Sequence, residues 1–497
     1  MALSVDQEQL HFVLIPQKGQ GHLIPMIDMA KLIAQRGVIV TIVTIPLEAA
    51  KFKSFVDRAI GCRGLQIRLL QLEVATAKPN GHEKEAATVL SQLKDFFKTA
   101  SSLQEPFEQS FRKLQPAPSC IIADIVFDWT SETAIKFGIP RIVFDGFGCC
   151  SRLCYHNILQ SKLHGSIMSD SEPFVIPGLP DKIEVTKGKV PMHFLSHNSD
   201  EQLKDAIHRI NKADETAYGV MINSFQELEP KYAQMYKKAK NNKVWCIGPV
   251  SLCNQETIDK AERGNKASID KNQCLQWLDS KEPGSVVYAC FGSCWNLTSS
   301  DMMEIGLGLE SSGYPFVWVI GGGDISEIDK LLTENRFEER NKGRGLVIKG
   351  WAPQVLILSH KAIGGFLTHC GWNSTLEGVC AGVPLLTWPM GAEQFLNENL
   401  IVQVLKIGVK VGEAEVHADG TKLTEEEAMT EGVGKKKQEV EKAVKKVMDG
   451  GEEGEERRKR ARELGETAKK AMEEGGSSHF NMTLFIQDMM HYKAGRE

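Results

Sequence analysis

The sequence predicts an α/β protein made of two Rossmann-like domains, each a doubly wound parallel sheet, that face each other across a cleft. Short apolar runs that fit buried strands alternate with helical stretches, and this alternation is typical of parallel sheets with helices on both faces. The alternation occurs twice in succession, with a polar stretch between the two series. A chain of 497 residues is also too long for a single hydrophobic core.

The first series opens with a strand, a glycine-bearing turn and a helix. His11–Pro16 is a buried strand, and Pro25 lies near the first turn of a helix that runs to about Gln35, where its missing N–H is tolerated. The remaining strands of this series are predicted at Val38–Thr44, Ser119–Asp124, Arg141–Phe144 and Gly219–Asn223.

The polar stretch 252–268 is the best candidate for a linker. We therefore predict a first domain over residues 1–251 and a second domain over residues 269–476. Residues 424–476 are rich in Glu, Lys and Arg, which indicates solvated helices, and the tail up to Tyr492 becomes apolar again. Strands of the second series are predicted at Ser285–Phe291, Pro315–Ile320, Gly345–Lys349, Ile363–Leu367, Pro384–Trp388 and Lys406–Val411.

Composition and charge narrow the possible functions. Hydrophobic residues make up 42% and charged residues 25% of the chain, as in ordinary globular proteins. The net charge of −5 argues against nucleic acid or an anionic membrane as a partner. The N-terminal residues lack the basic region of a signal peptide, and no apolar run approaches the roughly 20 residues that span a bilayer. We expect a cytoplasmic monomer whose twelve cysteines, which include no CxxC pair, are reduced.

The most informative stretch of the chain is Trp351–Gln394. A buried strand is followed by a turn rich in Gly and small polar residues, and then by a helix that Asn373 or Ser374 would cap and that would begin at Thr375. Free backbone N–H groups and the positive end of the helix dipole meet at such a turn, so it can bind an anion. Aromatic and polar side chains around a phosphate site suit a nucleotide that carries a sugar.

His22 and Asp124 each lie at the end of a predicted strand, at the carboxyl edge of the first sheet. Sugar transfer to a hydroxyl needs a base that takes the proton, and a carboxylate can fix the tautomer of a histidine base and stabilise its charged form. The ordinary alternative is a helix-capping histidine and a strand-end aspartate that never meet. From these two residues alone, that alternative is the more common arrangement.

The same turn offers a different class of function. Gly19-Gln20-Gly21 begins the dinucleotide fingerprint G-x-G-x-x-G, but Ile24 occupies the position of the third glycine. The second strand ends in TIVTIP, without the acidic residue that would bind a ribose. An NAD-linked oxidoreductase is therefore disfavoured.

Residues 351–394 closely resemble the signature box of the plant family-1 UDP-glycosyltransferases, through the segments HCGWNSTLEG and GVPLLTWP and the terminal Glu-Gln pair. Further similar segments, such as NSFQELEP and CLQWLDSKEPGSVVY, extend the resemblance over nearly the whole chain. It implies the GT-B fold, with a C-terminal helix at about 477–497 that packs back on the first domain. It also implies that QGHLIPM and IIAD contain the family's catalytic dyad, His22 and Asp124.

The resemblance further implies a donor site for UDP-glucose. Each of its residues also has an ordinary structural role, such as core packing for a tryptophan or helix capping for a serine. The implied contacts are uracil for Trp351 and the Ala352 backbone, ribose hydroxyls for Gln354 and Glu377, diphosphate for Ser293, His369, Asn373 and Ser374, and sugar for Trp372, Glu393 and Gln394.

The implied function is that of an inverting, UDP-glucose-dependent O-glucosyltransferase acting on hydroxyls of plant small molecules. Flavonoid, triterpenoid or steroid aglycones are the expected acceptors, with a cytokinin or another hormone as the alternative. A non-catalytic nucleotide-sugar-binding protein and a sugar epimerase are rival functions. No Asp-x-Asp motif ends a strand, so neither a metal nor a cofactor is expected. The acceptor wall is expected at Ala86–Leu93, Phe144–Leu159 and Pro191–Leu195.

Overall fold

The computed structural model describes residues 9–73, 89–161, 172–190, 200–292, 297–321, 325–412 and 435–495. Three predicted parts of the site lie outside the described residues, namely Ser293, the side chains of Ala86–Leu93, and Pro191–Leu195. Within the described ranges, no helix is both long enough and apolar enough to cross a lipid bilayer.

The first half of the chain forms a seven-stranded parallel sheet. The strands of this half are β1 (His11–Ile15), β2 (Ile39–Thr44), β3 (Ile67–Gln71), β4 (Cys120–Asp124), β5 (Arg141–Asp145), β6 (Pro173–Val175), β7 (Glu184–Thr186), β8 (Gly219–Ile222) and β9 (Val244–Cys246). The sheet order is β3-β2-β1-β4-β5-β8-β9, while β6 and β7 form a separate antiparallel pair.

Helices lie on both faces of this sheet, as expected for parallel strands that are joined by crossover connections. They are α1 (Gln20–Ala34), α2 (Pro46–Arg63), α3 (Val89–Ser101), α4 (Gln104–Phe111), α5 (Thr130–Phe137), α6 (Cys149–Ser161), α7 (Glu201–Glu215) and α8 (Pro230–Ala239), with short 3₁₀ turns at Lys187–Lys189 and Val250–Cys253. Helix α9 (Thr257–Ala261) lies between the two halves of the chain.

The second half forms a six-stranded parallel sheet, in the order β12-β11-β10-β13-β14-β15. Its strands are β10 (Val286–Cys290), β11 (Phe316–Ile320), β12 (Gly345–Lys349), β13 (Ile363–Thr368), β14 (Leu385–Thr387) and β15 (Gly408–Lys410). Its helices are α10 (Lys271–Asp279), α11 (Ser299–Ser312), α12 (Ser326–Glu334), α13 (Phe337–Arg340), α14 (Gln354–Leu358), α15 (Trp372–Ala381), α16 (Gln394–Asn399) with the π-helical turn Leu400–Val404, α17 (Lys435–Met448), α18 (Glu452–Met472) and α19 (Ser477–Ala494).

The C-terminal helix α19 packs on the first sheet. The Phe485 ring lies 5.5 Å from the Phe12 ring and 5.2 Å from the Trp245 ring, measured between centroids. The Asn481 side chain donates a hydrogen bond of 3.0 Å to the Cys246 carbonyl at the end of β9. The end of the chain thus returns from the second half to the first.

Strand order reverses at one place in each sheet, between β1 and β4 in the first and between β10 and β13 in the second. Ligands of doubly wound sheets bind beyond the carboxyl ends of the strands at such a switch point. His22 follows β1, Asp124 ends β4, and the turn of residues 369–371 follows β13. Topology therefore brings each of the two candidate regions to the switch point of its sheet.

The predicted architecture is confirmed, and several details of the prediction are wrong. The short strands β3, β6, β7 and β9 were not predicted, and β15 is shorter than the predicted Lys406–Val411. Helix α1 begins at Gln20, so Pro25 lies inside the helix and not near its first turn. The apolar periodicity locates these elements, whereas their ends depend on contacts made by the folded chain.

Candidate active site

His22 and Asp124 lie in direct contact at the switch point of the first sheet. His22 Nδ1 is 2.7 Å from Asp124 Oδ2; the Asp124 side chain is completely buried, while 28% of the His22 side chain is exposed. The backbone N–H of Val126 donates to Asp124 Oδ1 at 3.3 Å, which holds the carboxylate in place. An Nδ1–H that donates to Asp124 leaves Nε2 as the ring atom that can accept a proton.

The charges around His22 favour its protonated form. Burial alone would lower the pKa of His22, but Asp124, with smaller contributions from Asp145 and Glu393, raises this pKa to about 9. In the absence of substrates, the ring therefore carries a proton at neutral pH. Its basicity is high, and it depends on carboxylates from both halves of the chain.

Asp145, which the sequence analysis did not select, lies next to this dyad at the end of β5. It is completely buried, and Arg152 Nη1 lies 2.9 Å from its Oδ2 in the geometry of an ion pair. Arg152 is itself held by Asp214 at 2.9 Å and by the Tyr236 hydroxyl at 3.1 Å. Burial raises the pKa of Asp145 to about 6, although Arg152 opposes this rise. The sequence could have identified Asp145, because RIVFD ends in an acidic residue as IIAD does, and the two strands are neighbours in the sheet.

Helix α15 begins earlier than the sequence predicts. Gly371 is its N-cap and Trp372 is its first residue, so the predicted start at Thr375 with a cap from Asn373 or Ser374 is wrong. The N–H of Trp372 donates instead to Glu393 Oε1, at 3.3 Å. A carboxylate from a later loop thus satisfies one of the free N–H groups at this helix end.

Asn373 connects the second half of the chain to the helix that carries His22. Its Nδ2 donates to the carbonyl oxygen of Gly21 at 2.6 Å. Four residues beyond Gly21 is Pro25, which has no N–H and cannot make the usual helical hydrogen bond to that carbonyl. The proline inside α1 therefore leaves an acceptor beside His22, and the first turn of α15 binds to it.

The turn after β13 holds His369 between two glycines. A Cβ added at Gly292 would lie 2.7 Å from the His369 ring, and one at Gly371 would collide with it. Burial lowers the pKa of His369 to about 4, so the ring is neutral and can donate an N–H without carrying a charge. Its Nδ1 has no hydrogen-bond partner among the described residues.

Three of the predicted donor-site residues form one hydrogen-bonded group. Gln354 Nε2 donates to Glu377 Oε2 at 2.8 Å and to Ser374 Oγ at 3.1 Å. The hydroxyl of Tyr288 donates to Gln354 Oε1 at 3.3 Å, which orients the amide. Residues implied for the ribose and for the diphosphate are therefore adjacent.

The aromatic start of the signature box lies beside this group. Trp351 is half-buried and Ala352 is buried. The indole Nε1 of Trp351 has no hydrogen-bond partner among the described residues. Glu377 also accepts a hydrogen bond from Arg263, a residue of the predicted linker that the sequence analysis did not select.

Of the residues implied for the sugar, Trp372 is packed inside the protein, whereas Gln394 keeps a free hydrogen-bond donor. Trp372 is only 2% exposed, and its indole N–H donates to the Asn223 carbonyl at 2.7 Å, so it packs between the two halves of the chain. Gln394 Oε1 accepts the N–H groups of Met390 at 2.7 Å and of Gly391 at 3.2 Å. The NH₂ group of Gln394 therefore remains as a donor. Burial raises the pKa of Glu393 to about 7.

Comparisons with known proteins show which family this chain belongs to. Residues 256–441 match the family model described as UDP-glucoronosyl and UDP-glucosyl transferase. UDP-glycosyltransferase 73C6 of Arabidopsis thaliana is 50% identical over 488 residues, which cover 97% of this chain and 96% of that protein.

Solved structures show the same similarity at the level of the fold. The structure of Glycyrrhiza uralensis UGT73P12 complexed with glycyrrhetinic acid 3-O-monoglucuronide is 36% identical, with a TM-score of 0.86 over 98% of this chain and 97% of that one. Medicago truncatula UGT71G1 complexed with UDP-glucose is 25% identical, with a TM-score of 0.77 over 98% of this chain and 100% of that one.

The fold and the site together define a glycosyltransferase with the GT-B fold. The chain belongs to the plant family-1 UDP-glycosyltransferases, as its similarity to the 73C proteins over nearly its full length shows. It is a transferase that glycosylates small molecules, which excludes the NAD-linked oxidoreductase that its glycine turn left open.

Proposed function

We propose that the protein transfers glucose from UDP-glucose to a hydroxyl group of a plant aglycone, with inversion at the anomeric carbon. The observation that carries this proposal is the hydrogen bond from Asn373 to the Gly21 carbonyl, 2.6 Å long. It joins the start of α15, where a diphosphate would bind, to the residue that precedes His22. A diphosphate bound there would leave close to His22, which supports the proposed role of this residue as the base.

In the proposed reaction, His22 Nε2 accepts the proton of the acceptor hydroxyl while Asp124 stabilises the resulting imidazolium. The acceptor oxygen forms a bond to C1 of the glucose, and the bond from C1 to the diphosphate oxygen breaks. Because the donor is α-linked and the displacement is direct, the product is a β-glucoside. His22 must be neutral to act, so its raised pKa makes the reaction faster as the pH rises through about 9.

The departing diphosphate would be stabilised mainly by uncharged donors. The N–H groups of Asn373 and Ser374 in the first turn of α15, the neutral His369 ring, the second amide hydrogen of Asn373 and the hydroxyl of Ser374 are available for this role. In this proposal Trp351 and Ala352 contact uracil, while Gln354 and Glu377 bind the ribose. Neither a metal ion nor a cofactor takes part.

The sugar preference rests on Glu393 and Gln394. The Gln394 amide, anchored through its oxygen by two backbone N–H groups, directs its NH₂ group as a fixed donor. A fixed donor and an adjacent carboxyl group suit neighbouring equatorial hydroxyls, which favours glucose over galactose.

A large apolar aglycone with a free hydroxyl is the acceptor that we favour. The Glycyrrhiza protein is complexed with glycyrrhetinic acid 3-O-monoglucuronide, which supports a triterpenoid or steroid acceptor, and flavonoids remain in the proposed range. A cytokinin or another hormone is the second candidate. We also propose that the protein acts as a cytoplasmic monomer.

The test is to incubate the protein with UDP-glucose and a panel of triterpenoid, steroid, flavonoid and cytokinin acceptors, and to detect products by mass spectrometry. NMR then measures the anomeric coupling of any product. We expect a glucose adduct of at least one hydroxylated apolar aglycone, with the large coupling constant of a β-linkage. An α-linked product would contradict the inverting mechanism, and transfer only from another UDP-sugar would contradict the donor assignment.

A further inference from the structure

Residues 262–268, which we call the crossing segment, pass between the two halves of the chain beside the donor site. The N–H of Ser268 donates to the Trp351 carbonyl at 2.8 Å, and the N–H of Trp351 donates to Ser268 Oγ at 3.0 Å. On the other side, Gln20 Nε2 at the start of α1 donates to Asn265 Oδ1 at 3.3 Å. The segment is therefore attached to both halves at the place where they meet.

Gly264 shows how closely this segment approaches the predicted uracil residue. Its φ of +97° is in the left-handed region, and a Cβ added there would collide with the Trp351 indole and lie 3.0 Å from Ile24 Cδ1. Glycine is the residue that tolerates both the backbone conformation and the lack of space. The crossing segment thus forms one wall of the region around Trp351.

Arg263, the preceding residue, forms two ion pairs inside this contact. Its Nε donates to Asp28 Oδ2 at 2.8 Å, and its Nη1 donates to Glu377 Oε1. The side chain of Arg263 is 8% exposed, that of Asp28 is 2% exposed and that of Glu377 is 5% exposed. Charges buried to this degree are stable only when they are paired and hydrogen-bonded, so the three groups hold one another in place.

The two carboxylates belong to the helices that carry the chemistry. Asp28 lies on α1, the helix that contains His22, and Glu377 lies on α15, the helix of the signature box. Asp28 is fixed from a further side, because Asn254 Nδ2 donates to its Oδ1 at 2.8 Å. Arg263 consequently spans from a fixed point on the His22 helix to the residue implied for the ribose.

We propose that Arg263 is a positioning residue for the donor, which orients the Glu377 carboxylate toward the ribose and couples it to the helix that carries His22. This inference rests on the proposed donor site. With Oε1 bound to Arg263 and Oε2 bound to Gln354, the carboxylate cannot rotate, and its remaining lone pairs have fixed directions. A guanidinium can hold two carboxylates in a rigid fork, whereas an ammonium group acts as a point charge.

The opposite role for Arg263 is that of a competitor, which must release Glu377 before a ribose can bind. The two roles predict opposite changes in affinity. Removal of a positioning residue weakens UDP binding, whereas removal of a competitor strengthens it. The close fit of Gly264 against Trp351 favours the positioning role, since a segment that leaves during each turnover would not need such a contact.

The experiment measures the Kd of UDP and of 2′-deoxy-UDP by calorimetry for the wild type and for Arg263→Gln. The deoxy analogue lacks one of the hydroxyls that Glu377 is proposed to bind, so the ratio of the two Kd values reports on that contact. We expect the wild type to prefer UDP by about tenfold, the typical effect of one hydrogen bond to a charged group. In Arg263→Gln we expect UDP binding to weaken by about tenfold and the preference to fall to about twofold or less.

Arg58→Gln is the matched control, because Arg58 pairs with Asp259 and with Glu262, the first residue of the crossing segment, without reaching Glu377. We expect it to keep the wild-type preference. Arg263→Lys keeps the charge but can satisfy only one of the two carboxylates, so an intermediate loss of preference is expected. This variant also gives the answer if Arg263→Gln does not fold.

The outcomes separate this inference from the proposed function. A wild type that does not bind UDP would contradict the proposed donor site itself. A wild type that binds UDP with a ribose preference that the Arg263 variants keep, or tighter UDP binding in these variants, would overturn the positioning role alone. A uniform weakening of UDP and 2′-deoxy-UDP would also overturn it, since a loss of general stability affects both ligands equally.

Discussion

At the edge of the first sheet, the half-buried His22 meets the buried, ionisable side chains of Asp124 and Asp145, whereas the edge of the second sheet presents mainly uncharged donors. His22 has a pKa raised to about 9 by its carboxylate neighbours, while burial lowers the pKa of His369 to about 4. Two histidines, each beside the switch point of its own sheet, therefore differ in charge at neutral pH. The first can hold and release a proton, whereas the second stays neutral and acts only through hydrogen bonds.

The largest expected effect comes from removing the base on the charged side. We expect His22→Ala to lower the transfer rate by about 10²–10⁴, since general-base catalysis typically contributes that much. Single-turnover kinetics at saturating UDP-glucose measure this rate. A variant with a near-normal rate would show that His22 is not the base.

The next largest effect is expected at Gln394, the residue of the second sheet's edge that is proposed to select the sugar of the donor. We expect the wild type to prefer UDP-glucose over UDP-galactose by about 5- to 150-fold, the cost of leaving one buried polar group poorly paired. Gln394→His should lower glucose transfer and shift the preference toward galactose, because an imidazole does not reproduce an amide anchored by Met390 and Gly391. Rates measured with the two donors in competition check this, and equal wild-type rates would refute the role of Gln394.

A smaller effect is expected from neutralising Asp145, the buried carboxylate next to the dyad at the edge of the first sheet. Its negative charge helps to raise the pKa of His22, so Asp145→Asn should lower that pKa and move the rising limb of the kcat/KM profile to lower pH. We expect a shift of roughly half a unit, or about a threefold gain in rate below the midpoint. Asp128→Asn is the control, because Asp128 pairs with Arg209 at 2.7 Å and is not among the groups that raise the pKa of His22. A limb that stays in place or moves to higher pH would disprove the coupling.

We expect removal of metal ions to have no effect on the transfer rate. If uncharged donors and a helix N-terminus stabilise the diphosphate, then EDTA should leave the transfer rate unchanged. Rates measured before and after exhaustive chelation, and after addition of Mg²⁺ or Mn²⁺, provide the test. A strict requirement for either ion would mean that the diphosphate needs a positive charge that the residues at the edge of the second sheet do not supply.

The two edges also differ in how much of each could be predicted from the sequence. Trp351–Gln394 is contiguous, so its strand, turn and helix could be located from apolar periodicity and turn residues, and its family could be recognised. His22 lies on α1 and Asp124 ends β4, so their residues alone favoured the unpaired arrangement, and the family resemblance was needed to favour a pair. Their distance of 2.7 Å required the folded chain.

Other features escaped prediction because they depend on contacts between distant parts of the chain. The start of α15 depends on Glu393, which accepts the first N–H in place of a local cap. Arg263 lies in a polar stretch that was predicted only as a linker, and its burial depends on two carboxylate partners from distant helices. Asp145 could have been found, because it ends its strand as Asp124 does.

The central claim is that the first edge supplies the proton chemistry and the second edge supplies the binding of the donor. Calorimetric titration of UDP into the wild type, His22→Ala and Glu377→Gln tests this division most directly. We predict that His22→Ala binds UDP within about twofold of the wild type, and that Glu377→Gln binds about tenfold more weakly. Equal losses of UDP affinity in the two variants, or a loss in His22→Ala alone, would contradict the claim that the two edges have separate roles.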